Sequence, residues 1–172
     1  TYVGPIDRGD ILEKGYLGGA MVHSNSWGAD TAGAYDVRDA AYDTRVRDAD
    51  DTAPGNQPII ALASSGNAGP NANTIGSPGN GKNVIAVGAV EGYMPDQNTY
   101  GSSEAGTSSD NPTTISSFSS RGYSDDGRIK PDIMAPGQGM LSTHSPSAVD
   151  NLYGIYTADS RYEWCSGTSQ AC

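Results

Sequence analysis

The strongest candidate for chemistry is Ser169, within Cys165-Ser166-Gly167-Thr168-Ser169-Gln170-Ala171-Cys172. A serine hydroxyl set among small residues at a turn or helix start stands clear of its neighbours, as a nucleophile for acyl transfer must. The tripeptide Gly167-Thr168-Ser169 equally suits an ordinary turn or N-cap, so the rest of the chain has to separate the two. Cys165 and Cys172 bracket this serine and are the only cysteines. Two are too few for a disulfide framework and carry no zinc spacing. Paired, free and intermolecular states stay open, because sequence separation does not establish the Cα distance a disulfide needs.

A nucleophile is useful only where secondary structure delivers a base, an oxyanion donor and a binding surface to it. Asp10 to Gly15 predicts the tail of a helix, with Gly15 or Gly18 near its end. Ala20 to Ser26 predicts a short strand running into Trp27-Gly28. Between Ala34 and Ala49, Ala34, Val37, Ala41 and Thr44 fall at three- and four-residue steps and predict a helix, on which Asp43 and Arg47 are spaced to pair across one turn. Pro58 to Ser64 contains the apolar run Ile59-Ile60-Ala61-Leu62-Ala63, a strand that delivers the small-residue loop Ser64 to Pro70. Asn83 to Val90 predicts a second buried strand.

Strands without polar alternation, separated by a helix, predict an α/β fold: a doubly wound, mostly parallel sheet with helices on both faces. Its loops would carry the chemistry. Glu91 to Thr114 is polar and turn-rich, a surface excursion. Ile115 to Ser120 is short enough for an edge strand or an approach to the site, and Arg121 to Asp132 is a charged turn leading into Ile133 to Gly137. No repeat or interdomain linker is visible, which fits one domain or part of one.

The 172 residues suffice for one domain with a sizeable core. With 23 Gly, 10 Pro and 17% charged residues, they suit a loop-rich globular protein better than a helical bundle. Twenty acidic residues against ten basic ones give a formal charge of -10, which argues against nonspecific attraction to nucleic acid or to an anionic membrane. No apolar run reaches membrane-spanning length. The start Thr1-Tyr2-Val3-Gly4 shows neither an initiator Met nor a signal segment, which fits a cleaved or excised chain.

Four separated segments carry one resemblance: His23-Ser24-Asn25-Ser26-Trp27-Gly28; Ser65-Gly66-Asn67-Ala68-Gly69-Pro70; Asp126-Gly127-Arg128-Ile129-Lys130-Pro131-Asp132-Ile133-Met134-Ala135-Pro136-Gly137; and Gly167-Thr168-Ser169-Gln170-Ala171. In this order and spacing the chain closely resembles the subtilisin-like serine peptidases, in particular their oxidatively stable alkaline bacterial branch. The resemblance implies that residues 1–172 are the C-terminal-side portion of an incomplete subtilisin-like domain. The region bearing the catalytic Asp and His, and the helix after the nucleophile, would lie outside it.

By the same resemblance Ser169 is the nucleophile and Asn67 the oxyanion-hole asparagine. The amide of Asn67 would donate to the oxygen that becomes negative when a peptide carbonyl is attacked, beside the backbone N–H of Ser169. Ser26, Trp27 and Gly28 match the strand that pairs with extended substrate, with Trp27 either packing or shaping a subsite. Ser64, Ser65 and Gly66 resemble one wall of the specificity pocket and Gly76 its floor; small residues there suit a large apolar side chain. Ser77-Pro78 falls where the family often has a cis proline. His23 and His144 match no family base and read as a partly buried structural residue and a loop residue.

Two positions depart from the family pattern. Gln170 stands where Met is usual, and Cys172 where a Thr-Pro pair usually opens a buried helix. The chemistry needs no cofactor; structural calcium accords with the resemblance, but Arg128 and Lys130 interrupt the acids Asp125, Asp126 and Asp132, and no metal ligand is assigned. The function implied is a serine endopeptidase acting on polypeptides through an acyl-enzyme, extracellular by resemblance, with its Asp and His supplied by a complementary chain or missing segment. A noncatalytic peptide-binding or scaffold protein derived from the same fold is the alternative.

Overall fold

A computed structural model describes residues 10–94, 109–147, 154–156 and 158–172. Along the chain come α1 (Asp10–Leu17), β1 (Val22–Asn25), α2 (Val37–Arg47), β2 (Ile60–Ser64), β3 (Ile85–Glu91), β4 (Gly122–Tyr123), β5 (Ile129–Lys130), β6 (Ile133–Gln138), β7 (Met140–Thr143), β8 (Tyr162–Cys165) and α3 (Thr168–Ala171). The predicted apolar runs do become the sheet. β1, β2, β3 and β6 lie side by side in that order, and all three pairings are parallel.

Because strand side chains alternate between faces, the register sorts the sheet into two surfaces. On one, Ala61 and Ala63 pack with Leu12 of α1, Tyr42 of α2, Ala49, Ile59 and Val84. Leu12 and Tyr42 are completely buried; burial of a leucine side chain contributes about 2 kcal/mol. The other surface runs through the side-by-side pairs Val22 and Ile60, Leu62 and Ile85, and Val87 and Ile133. There α3 lies across β6 and β3, with Ala171 and Ala89 meeting over Gly137. Helices therefore flank both faces, as expected of a doubly wound α/β domain. Val22, Ile60 and Ile133 remain about half exposed.

Helix α2 is shorter than its periodic pattern because its first turn is closed by a capping box. The Asp36 carboxylate accepts from the Arg38 and Asp39 N–H groups, while Asp39 Oδ2 accepts the Asp36 N–H. The expected pairing of Asp43 with Arg47 does not form. Asp43 is buried, so its oxygens are taken by the Tyr35 hydroxyl at 2.8 Å and by the Lys82 and Asn83 N–H groups at 2.9 and 2.6 Å. A buried carboxylate needs such donors far more than an exposed helix pair needs it. Arg45 instead reaches Glu13 at 2.9 Å and Asp51 at 3.2 Å.

Two antiparallel hairpins have no counterpart in the sequence reading. β4 pairs with β5 inside the charged turn, and β7 pairs with β8 just before Ser166. Residues 95–108 of the expected surface excursion lie outside the described residues. Its described ends tuck in, since Met94 and Ser109 are buried and Met94 packs with Trp164. Ile115 makes only an isolated bridge to Val90.

Candidate active site

Parallel strands send the loops after their carboxyl ends to one rim of the sheet, where open α/β domains place their sites. β1 ends at Asn25 and leads into Ser26-Trp27-Gly28; β2 ends at Ser64 and leads into Ser65-Gly66-Asn67; α3 begins at Thr168 beside them. Gly167 precedes that helix at φ +158°, and a Cβ there would meet the Gln170 side chain at 2.6 Å.

Ser169 and Ser26 exchange hydrogen bonds. Ser169 Oγ donates to the Ser26 carbonyl at 3.1 Å, and Ser26 Oγ donates to the Ser169 carbonyl at 2.8 Å. Asn67 is brought to the same place by Thr168, a residue the sequence reading did not single out. Its Oδ1 accepts from the Thr168 N–H and hydroxyl, both at 2.9 Å. Thr168 Oγ1 in turn accepts the Gly66 N–H at 3.2 Å. With Oδ1 occupied by donors, the amide NH2 of Asn67 is the end left to donate outward. The Ser169 N–H belongs to the first turn of α3, which has no intrahelical acceptor.

These residues border a cavity of about 320 Å³ lined by Trp27, Gly28, Ser64, Gly66, Asn67, Gly76 and Ser169, with Ala29, Asp30, Ala68, Thr74, Ser77, Ser120 and Thr168 completing the wall. Ser65 does not line it. Its side chain is fully buried and its carbonyl accepts the Gly76 N–H at 2.9 Å, so Ser65 holds the floor from behind. Ser26 likewise stands beside the cavity, bonded to Ser169. Trp27 does both things open to it: it lines the cavity and sets its ring edge-on to Tyr42, centroids 5.8 Å apart. The Ser77-Pro78 peptide is cis.

Neither histidine serves Ser169. His23 lies on the α1 side of β1, where its ring would sit 2.7 Å from a Cβ at Gly15. The adjacent Ser24 faces the other way and donates to the Cys172 carbonyl at 3.0 Å. His144 is paired with Glu163 at 3.0 Å in the β7–β8 hairpin. Cys165 and Cys172 are not bonded to one another; Cys165 Sγ approaches the Met140 carbonyl and Cys172 Sγ the Asn25 carbonyl.

The three acids that could have suggested calcium are each engaged separately. Asp125 accepts from Asn73, Asp126 pairs with Arg128 at 2.9 Å, and Asp132 pairs with the buried Lys130 at 2.7 Å while accepting the Ala86 N–H. Among the described residues no three acidic, His or Cys side chains converge as metal ligands would.

The model of the Subtilase family, Peptidase S8, matches residues 9–172. The chain belongs to the subtilase family. It is 40% identical over 114 residues to the serine protease AprX of Bacillus subtilis (strain 168), covering 66% of this chain and 23% of that protein. With pyrolysin of Pyrococcus furiosus it shares 36% identity over 98 residues, 49% of this chain and 7% of that protein. The self-cleaved protease domain of PatA superposes with a TM-score of 0.58 at 20% identity, covering 96% of this chain and 47% of that one. Sphericase gives 0.56 at 24% identity, covering 95% and 43%. This subtilase chain thus spans about a quarter or less of these curated relatives and under half of these solved structures, which show the fold. No described helix is long and apolar enough to cross a membrane.

Proposed function

We propose that this subtilase chain is the nucleophile-bearing part of a serine endopeptidase. Ser169 Oγ attacks the carbonyl carbon of a peptide bond, its proton passes to a histidine outside this sequence, and an aspartate orients that histidine. The new oxyanion is met by the Asn67 amide and the Ser169 N–H. The amine product leaves with the proton, and water then releases the acyl group from Ser169. Ser26, Trp27 and Gly28 pair with the extended polypeptide, and the cavity floored by Gly76 takes one of its side chains.

The observation that carries this reading is the fixing of Asn67 by Thr168. A bond pair across 101 positions of sequence holds an amide at the very turn that presents Ser169. A complementary polypeptide supplying Asp and His would also cover the half-exposed Val22, Ile60 and Ile133. Placement in the oxidatively stable alkaline branch and an extracellular setting rest on the resemblance of the four ordered segments, from which Gln170 departs.

A fluorophosphonate probe tests the assignment in the complete native assembly. Labelling that maps to Ser169 and disappears in Ser169→Ala is expected. A folded, complete assembly that binds extended peptides but takes no label would overturn catalysis and leave a noncatalytic peptide-binding protein.

A further inference from the structure

The cavity floor is tied to a helix that carries none of the proposed chemistry. Ser77, 1% exposed, joins three elements at once. Its backbone forms an antiparallel bridge with Ala29 on the cavity rim: the Ala29 N–H donates to the Ser77 carbonyl at 2.9 Å, and the Ser77 N–H donates to the Ala29 carbonyl at 3.0 Å. Its hydroxyl donates at 2.8 Å to Oδ1 of Asp36, the N-cap of α2. Its neighbour Gly76 is the floor, held by Ser65.

Rim and floor meet without slack. A Cβ at Gly28 would lie 2.8 Å from the Ser77 carbonyl oxygen, and a Cβ at Gly76 would lie 2.7 Å from the Ala29 carbonyl oxygen. Any shift of Ser77 therefore moves both walls. Asp36 is itself immobilised: besides Ser77 and the two helix N–H groups, it accepts from the Arg38 guanidinium, at 2.7 Å through Nε. A charged acceptor strengthens the bond from Ser77.

We propose that Asp36 is a positioning residue for substrate selection: through Ser77 it sets the spacing between the Gly76 floor and the Gly28-Ala29 rim, and so the size of side chain the cavity accepts. This rests on the endopeptidase reading given above. Asp36 touches no substrate; it acts through Ser77, and the ligand class concerned is a polypeptide presenting a large apolar side chain to the cavity.

Two substitutions separate this role from simple helix capping. Asp36→Ser keeps a good N-cap but is one bond too short to hold Ser77, whereas Asp36→Asn keeps both a cap and an acceptor for it. Ser77→Ala removes the hydroxyl alone. Hydrogen exchange and peptide cleavage are measured together in the complete protein. In Asp36→Ser and Ser77→Ala, exchange at the Ala29 and Ser77 amides should rise about tenfold while the β2 and β3 amides stay protected. The kcat/KM ratio between peptides presenting Phe and Ala to the cavity should fall about tenfold. Asp36→Asn should stay near the parent on both measures.

Unchanged exchange and selectivity in Asp36→Ser and Ser77→Ala, or equal losses in Asp36→Asn and Asp36→Ser, would overturn the proposal. If the parent protein cleaves no peptide, the endopeptidase reading fails. The clamp is then judged by exchange and by the relative binding of the same two peptides, with the same expectation and the same overturning result. Should Ser77→Ala not fold, the Asp36→Ser and Asp36→Asn pair decides.

Discussion

Ser169 and Ser26 are joined by reciprocal hydrogen bonds, hydroxyl to carbonyl in each direction, at 3.1 and 2.8 Å. The candidate nucleophile is thereby tied to the first residue of the candidate substrate strand, and the start of α3 to the end of β1. The hydroxyl of Ser169 rests on a carbonyl, an acceptor that orients it without being able to take its proton. Ser26→Ala leaves that orienting bond in place and removes the return bond. It should lower stability by about 1 kcal/mol, seen as a reduced denaturant midpoint with an unchanged slope. An unaltered midpoint would show that water replaces the lost bond at no cost.

The Thr168 hydroxyl both donates to Asn67 Oδ1 and accepts from the Gly66 N–H. Thr168→Val preserves shape but loses both hydroxyl bonds, leaving the amide held by the Thr168 N–H alone. The expected result is a fall in kcat of about tenfold with KM little changed, because an oxyanion donor acts in the transition state. Asn67→Ala should cost roughly 100- to 1,000-fold in kcat. An effect of Thr168→Val confined to KM would place Asn67 in substrate binding instead.

The α2 capping box holds two carboxyl groups with opposite shifts. Burial pushes Asp39 from 3.8 up to about 6, against the Asp36 N–H, which favours its charged form. For Asp36, partial burial alone would raise the value, but hydrogen bonds from Arg38, Ser77 and the helix N–H groups outweigh it and hold the carboxyl well below the usual range.

Between about pH 4 and pH 6 native Asp39 thus keeps a proton that the unfolded chain releases, so its contribution to stability falls as pH rises through that window. The contribution of Asp36 has the other sign: present above the ordinary carboxylate range and lost as the solution becomes more acid. Asp39→Asn keeps an acceptor for the Asp36 N–H and removes the charging cost. The Tm advantage of Asp39→Asn over the parent should therefore grow from pH 4 to pH 6 and level off above it. A difference that is flat with pH would mean that Asp39 ionises normally.

Gly76→Ala would set a methyl group 2.7 Å from the Ala29 carbonyl oxygen, a backbone atom that cannot swing aside. The floor or the rim has to move. Overpacking of this kind costs about 1–3 kcal/mol, and the cavity loses depth. KM for peptides presenting large apolar side chains should rise more than for those presenting alanine. Equal KM changes for both would remove Gly76 from the floor of the pocket.

Much of this protein is legible in the sequence because its signals are local. The apolar runs around Ile60 and Val87 mark β2 and β3 to within about two residues, since strands covered on both faces are rich in apolar residues; β1, Val22-His23-Ser24-Asn25, is marked instead by the short run that leads into it from Ala20. The small residues around Ser169 mark it as a candidate, the resemblance of four ordered segments adds Asn67, and the matched family model covers the same span. The two-residue strands β4 and β5 left no such mark: each exists only through its partner across a turn, and no periodicity develops over two positions.

What the tertiary structure alone decided are the contacts made across sequence distance at the sheet's carboxyl end. Nothing in the types of Ser65 and Gly66 tells which of them lines a cavity; the pleat does, turning Ser65 inward to hold Gly76 by its carbonyl. The periodic pattern starts α2 at Ala34 and misses the cap at Asp36, and only the parallel order of the strands brings Ser77 to that cap and Thr168 to Asn67. Propensity and hydrophobic pattern act over a few residues, whereas a hydrogen bond needs two groups within about 3 Å, and the folding of the whole sheet is what puts them there.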